Sequence, residues 1–86
     1  MDIYRKVTSR IEKMEYDNKT MKLYFVLKDH YSTLWFKCLD DDEAYNLSDR
    51  LGRKMAKGYP FIFIYNRNTL EVIGNIYPDE SKCVIS

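Results

Sequence analysis

Glycine and proline are scarce, three and two residues in a chain of 86. A chain so poor in both is not a disordered or low-complexity polymer, and nothing in it reads as a linker. Cysteine is equally thin. Cys38 and Cys83 cannot build a disulfide framework, and Cys38, in a strand pattern, reads as a small buried apolar residue. The only histidine, His30, falls in a turn with no second His or Cys nearby, whereas a zinc site wants about three or four ligands. No glycine-rich phosphate loop, nucleophile elbow or paired-histidine helix motif occurs. The chain is therefore read as non-enzymatic, with no metal and no cofactor. Long hydrophobic runs are missing too. Even a run such as Phe61-Ile62-Phe63-Ile64-Tyr65, as long as any in the chain, is far short of the roughly 20 residues a spanning helix needs. Met1 to Arg10 is charged and lacks the apolar centre of a signal peptide, so a cytoplasmic location is expected.

Aromatic bulk is what the chain has. Eight Tyr, four Phe and one Trp supply large buried areas to a domain whose size alone gives marginal stability. Length allows one domain, with its core at about residues 7–77 and a short tail at 78–86. Net charge is +1, so no general field draws in polyanions. Residues 1–39 carry 8 Lys/Arg against 5 Asp/Glu and residues 40–86 carry 6 against 8, a mildly basic first half and a mildly acidic second.

Along the chain, Val7, Ser9 and Ile11 alternate, and Met14 and Tyr16 continue after a one-residue slip. One strand from about Val7 to Tyr16 with a bulge near Lys13 accounts for this. Asp17-Asn18-Lys19-Thr20 signals a turn. Met21 to Lys28 alternates cleanly, Leu23, Phe25 and Leu27 against Lys22, Tyr24, Val26 and Lys28. A hairpin at Asp29-His30-Tyr31-Ser32 leads to a third strand, Thr33 to Leu39, with Leu34, Phe36 and Cys38 on one face and Thr33, Trp35 and Lys37 on the other. A helix follows. Asp40 or Asp41 caps it with Glu43 in the first turn, and Ala44, Leu47, Leu51 and Met55 form the apolar stripe. Gly58 and Pro60 stop it. The fourth strand is Phe61 to Tyr65 and the fifth Leu70 to Ile76, with a bend at Gly74. The core is expected to hold Leu23, Phe25, Leu27, Leu34, Phe36, Leu47, Leu51, Ile62, Ile64 and Val72.

Three strands, a helix and two strands, in a mainly β chain, is the order of a five-stranded Greek-key barrel. Leu23-Tyr24-Phe25-Val26-Leu27-Lys28-Asp29 and Ser32-Thr33-Leu34-Trp35-Phe36-Lys37-Cys38, followed by the helix and Lys57-Gly58-Tyr59-Pro60, resemble the second and third strands onward of single-strand-binding OB-fold domains. The likeness is one of pattern over about residues 7–77. It implies a barrel plugged by the helix and an oligonucleotide surface on the second and third strands.

Candidate binding residues fall on that surface. Tyr24 and Trp35, with Lys22, Lys28 and Lys37, are expected on the outer face, where bases stack on aromatics and lysines track phosphates. The partner is then single-stranded DNA or RNA. The alternative is a protein–protein interaction or inhibitor module on the same surface, since interfaces also favour Trp and Tyr. Arg50, Arg53, Lys54 and Lys57 form a second basic face on the helix, read first as a solvated face that complements its dipole and only second as a phosphate or partner contact. Asp40-Asp41-Asp42-Glu43 lacks calcium-loop spacing and reads as helix capping. The final Cys83-Val84-Ile85-Ser86 matches a prenylation signal, but Asp79-Glu80-Ser81-Lys82 before it gives no polybasic second anchor.

Overall fold

A computed structural model describes residues 2–82, and the Cys83-Val84-Ile85-Ser86 motif lies outside the described residues. Along the chain come β1 (Tyr4–Ser9), β2 (Ile11–Asp17), β3 (Lys22–Leu27), β4 (Leu34–Lys37), α1 (Asp41–Ala56), β5 (Phe61–Asn66), β6 (Tyr77–Pro78) and a 3-10 turn at Glu80–Lys82. The strands make two three-stranded antiparallel sheets, β1-β5-β6 and β2-β3-β4. The architecture is thus mainly β with one helix, but the strands number six rather than five.

The extra strand comes from a break at Arg10. Alternation runs unbroken through Val7, Ser9 and Ile11, yet Arg10 leaves the ladder because the loop after β3 competes for its backbone. Its N–H donates to Asp29 Oδ2 at 3.3 Å, its carbonyl accepts from the Lys28 N–H at 2.9 Å, and its guanidinium pairs with Asp29 at 3.5 Å. Ser9, 1% exposed, completes the knot, its Oγ accepting from the Asp29 N–H and donating to the Arg10 carbonyl. The two halves of the expected strand therefore pair with different neighbours, β1 with β5 and β2 with β3. The slip near Lys13 is present, since Ile11 faces Leu27 and Lys13 faces Val26, leaving Glu12 as the extra residue.

The expected strand from Leu70 to Ile76 is broken as well. Only Glu71 and Val72 bridge, Glu71 in parallel to Trp35 and Val72 in antiparallel to Tyr65. Gly74, at φ +69, then turns the chain away, and pairing resumes only at β6 against Phe61 and Ile62. Glycine adopts that conformation without the penalty a Cβ would bring.

The core is shared by both sheets and the helix. Phe25 from β3 and Phe63 from β5 meet with ring centroids 5.5 Å apart, among Leu23, Leu27, Leu34, Leu47, Leu51, Val72 and Ile76. Three expectations change. In β5 the inward face is Phe61, Phe63 and Tyr65, leaving Ile62 half-buried and Ile64 42% exposed. An all-apolar strand carries no alternation, so the register against β1, with Val7 facing Phe63 and Ser9 facing Phe61, decides the face. Phe36 packs only against the edge of the core and is half-buried. Cys38 is buried and unpaired among the described residues, and burial pushes its thiol pKa up, with Glu43 and Asp40 adding to the effect.

The helix starts and stops as its sequence dictates. Asp40 is the N-cap and accepts from the Glu43 N–H at 2.8 Å, while the Glu43 carboxylate accepts from the Leu39 N–H at 3.0 Å. At the other end the Gly58 and Tyr59 N–H groups return to the Met55 and Lys54 carbonyls, with Gly58 at φ +83. Ala44, Leu47 and Leu51 are buried. Among the described residues no helix is long and apolar enough to cross a membrane.

Candidate nucleic-acid interface

Antiparallel pairing sets the rows of the outer face of β2-β3-β4. Tyr24 stands opposite Trp35, and one step along Lys22 stands opposite Lys37. On the β2 side Glu15 faces Tyr24 and Asp17 faces Lys22. Four of the five residues expected on this surface are thereby brought together. The fifth, Lys28, lies past the end of β3, exposed, with its backbone tied to Arg10.

Trp35 is on the outer face but is half-buried. Its indole N–H donates to the Thr69 carbonyl at 2.8 Å, and the Lys22 ammonium sits 4.2 Å from its ring centroid. Lys37 likewise reaches sideways, donating to the Thr20 carbonyl. Trp35 is thus less open than strand alternation alone implies, whereas Lys37 is exposed with its ammonium engaged. Each clasps a turn.

These two turns share a chemistry. In Asp17-Asn18-Lys19-Thr20-Met21 the Asp17 carboxylate accepts from the Lys19 N–H at 3.0 Å, and in Asn66-Arg67-Asn68-Thr69-Leu70 the Asn66 side chain accepts from Asn68 and Thr69 at 2.8 and 3.2 Å. Each ends in an apolar residue at positive φ, Met21 at 58° and Leu70 at 67°. Side-chain caps of this kind stabilise such tight turns. The backbone of the β4 segment grips both, with the Cys38 N–H on the Met21 carbonyl and the Trp35 N–H on the Leu70 carbonyl. The turns thus flank the face. Sequence reading missed the second turn's part in the site. A signal was present, the repeated order of an Asp or Asn, then Thr three residues on, then a large apolar residue.

Charge on this face is mixed. Lys13 pairs with Glu15 at 2.7 Å, and that contact raises the Lys13 pKa. Asp17 is occupied within its turn, where the Lys19 N–H and the Thr20 hydroxyl hold its carboxyl below the usual range. Lys22 and Lys37 make no ion pair with a carboxylate among the described residues.

The helical basic residues stay apart from this surface. Arg53 pairs with Asp49 at 2.9 Å, and Lys54 pairs with Glu80 at 3.1 Å while lying 5.0 Å from the Tyr59 ring centroid. Lys57 is the C-cap residue, and Arg50 borders a groove on the opposite side of β4. His30 is half-buried, its Nδ1 accepting from the Ser32 N–H at 3.2 Å and its Nε2 3.4 Å from the Tyr65 hydroxyl. Of the acidic run, Asp40 and Glu43 cap the helix and Asp41 accepts from the Tyr16 hydroxyl at 2.8 Å.

No family model, curated protein or solved structure matches the chain.

Proposed function

We propose that this chain is an OB-type barrel module, without enzymatic activity, that holds single-stranded nucleic acid across the outer face of β3 and β4. The barrel reading rests on Glu71 and Val72, which bridge one sheet to the other between Trp35 and Tyr65. One observation carries the functional reading. Tyr24 and Trp35 are cross-strand neighbours beside the Lys22 and Lys37 pair, in a strip bounded by two turns anchored to β4. Aromatic faces stack bases of any sequence, and flanking lysines neutralise phosphates. The near-neutral net charge is the feature that favours the protein-partner alternative, because single-strand binders are usually more basic.

Tyr24 is the cleaner probe of stacking, because Trp35 also holds the Thr69 turn. In titrations of mixed-sequence single-stranded DNA and RNA, Tyr24→Ala is expected to cost about 1–3 kcal/mol of affinity. Lys37→Ala is expected to lower the slope of log K against log salt by about 0.7. Absence of micromolar binding to either polymer would discard the nucleic-acid reading. The same Trp and Tyr face would then be assigned to a protein partner.

A further inference from the structure

On β4, Phe36 projects to the side opposite Trp35, and there the sheet and the helix part. A groove of about 520 Å³ runs between the first half of α1 and the segment at 74–76. Half-buried Phe36 and Leu39, 81% exposed, supply its apolar surface, while Leu47 and Ile76 lie beneath it, buried in the core. A leucine held so far into water by the short link between β4 and α1 loses the burial its side chain favours.

Around that apolar surface the charge is acidic. Asp40, Asp42 and Glu43 line the groove against Arg50 alone, three carboxylates to one guanidinium. Asp40 and Glu43 are held at the groove by their capping contacts with the Glu43 and Leu39 N–H groups. Asp42 makes no ion pair among the described residues. Asn75, on the far wall, donates from Nδ2 to the Tyr77 hydroxyl at 3.0 Å, with its side-chain carbonyl turned to no partner among the described residues.

We infer that this groove docks a short segment of a partner protein in which an aliphatic side chain is flanked by lysine or arginine. The aliphatic group covers Leu39 and the exposed edge of Phe36, and the flanking cations face Asp42 and its neighbours. Complementary charge of this kind selects partners and rejects those of like sign. The same acidic lining repels phosphate, so the groove and the β3-β4 face are separate surfaces with opposite preferences. The inference therefore stands independently of the nucleic-acid reading.

The test uses the full chain, isotopically labelled, titrated by NMR with a short blocked peptide carrying a Leu-Ile centre between lysine pairs. Two controls replace the lysines by glutamates or the Leu-Ile centre by serines. Saturable shifts are expected at the amides of 39–47 and 74–76 with the lysine peptide, and each control should bind about tenfold more weakly or less. Asp42→Lys and Leu39→Ser should each weaken the lysine peptide about tenfold while leaving the rest of the spectrum in place. Asp42 is on the exposed rim, so its variant serves even if Leu39→Ser unfolds. No saturation by about 1 mM peptide, shifts mapping to β3 and β4 instead, or equal affinity for the glutamate peptide would overturn the inference.

Discussion

At the scale of single residues, exposure separates side chains that look alike in sequence. Phe63 is 0% exposed, in ring contact with both Phe25 and Phe61, whereas Phe36 is half-buried beside the groove. Phe63→Ala is expected to cost about 3–5 kcal/mol, the range for a fully buried aromatic. Phe36→Ala should cost about 2 kcal/mol, because less of its area returns to water. Urea melts of the two variants give the order, and the reverse order would mean that the core is centred on β4. Tyr16 offers a second test. Burial, then its hydrogen bond to Asp41 and that carboxylate's charge, raise its pKa from 10.0 to about 12. The folded state thus keeps a proton that the unfolded chain releases earlier. This contribution is fully present below pH 10 and is lost as pH rises toward about 12. The alkaline loss of stability should therefore be steeper in the parent than in Tyr16→Phe, compared by thermal melts across that window.

Among the elements, the two turns clasped by β4 carry the organisation of the candidate site. Asn66 accepts from two backbone N–H groups, and the turn it shapes presents the Thr69 carbonyl to the Trp35 indole. Removing that cap by Asn66→Ala leaves both N–H groups to water and is expected to cost about 1–2 kcal/mol. Trp35 should then lose its hydrogen-bond partner and shift its fluorescence emission to the red. A variant that melts earlier with an unchanged emission would show that the Trp35 contact is held by β4 alone. Legibility differs element by element. α1 was readable to within one residue at its N-cap, where the structure selects Asp40 over Asp41, because Asp40, Glu43, Gly58 and Pro60 act on backbone groups within one turn of themselves. The split at Arg10 was not, because what interrupts the strand is Asp29, nineteen residues away.

For the whole molecule, the consequential fact is that two open sheets and one helix share a single buried cluster. Neither sheet has a core of its own, since Phe25 and Phe63 lie on different sheets and pack on each other. Unfolding is accordingly expected to be one cooperative step. Trp35 fluorescence, which reports the β4 edge, and far-ultraviolet circular dichroism, which weights α1, should give the same denaturant midpoint. Separate midpoints would mean that the helix leaves before the sheets come apart. The two faces of β4 also differ in charge, mixed on the Trp35 side, where Lys22 and Lys37 stand with Glu15 and Asp17, and mainly acidic on the Phe36 side, where Asp40, Asp42 and Glu43 line the groove.

The sequence by itself determined what depends on neighbours along the chain. That includes the alternation of β3 and β4, the row of Tyr24 and Trp35 with Lys22 and Lys37, the slip beside Lys13, the helix with its caps, and the bend at Gly74. These follow from periodicity, local hydrogen bonding and the conformational freedom of glycine. Tertiary structure alone decided which face of β5 turns inward, because Phe61 to Tyr65 offers apolar side chains to both sides and only the pairing with β1 breaks the tie. It decided also that Leu70 to Ile76 would bridge rather than form a strand, and that Trp35 would lie half-buried against Thr69 rather than stand in solvent. For β5 and for Trp35 the deciding partner lies far along the chain, and strand pairing is specified by whatever the fold brings to the other side.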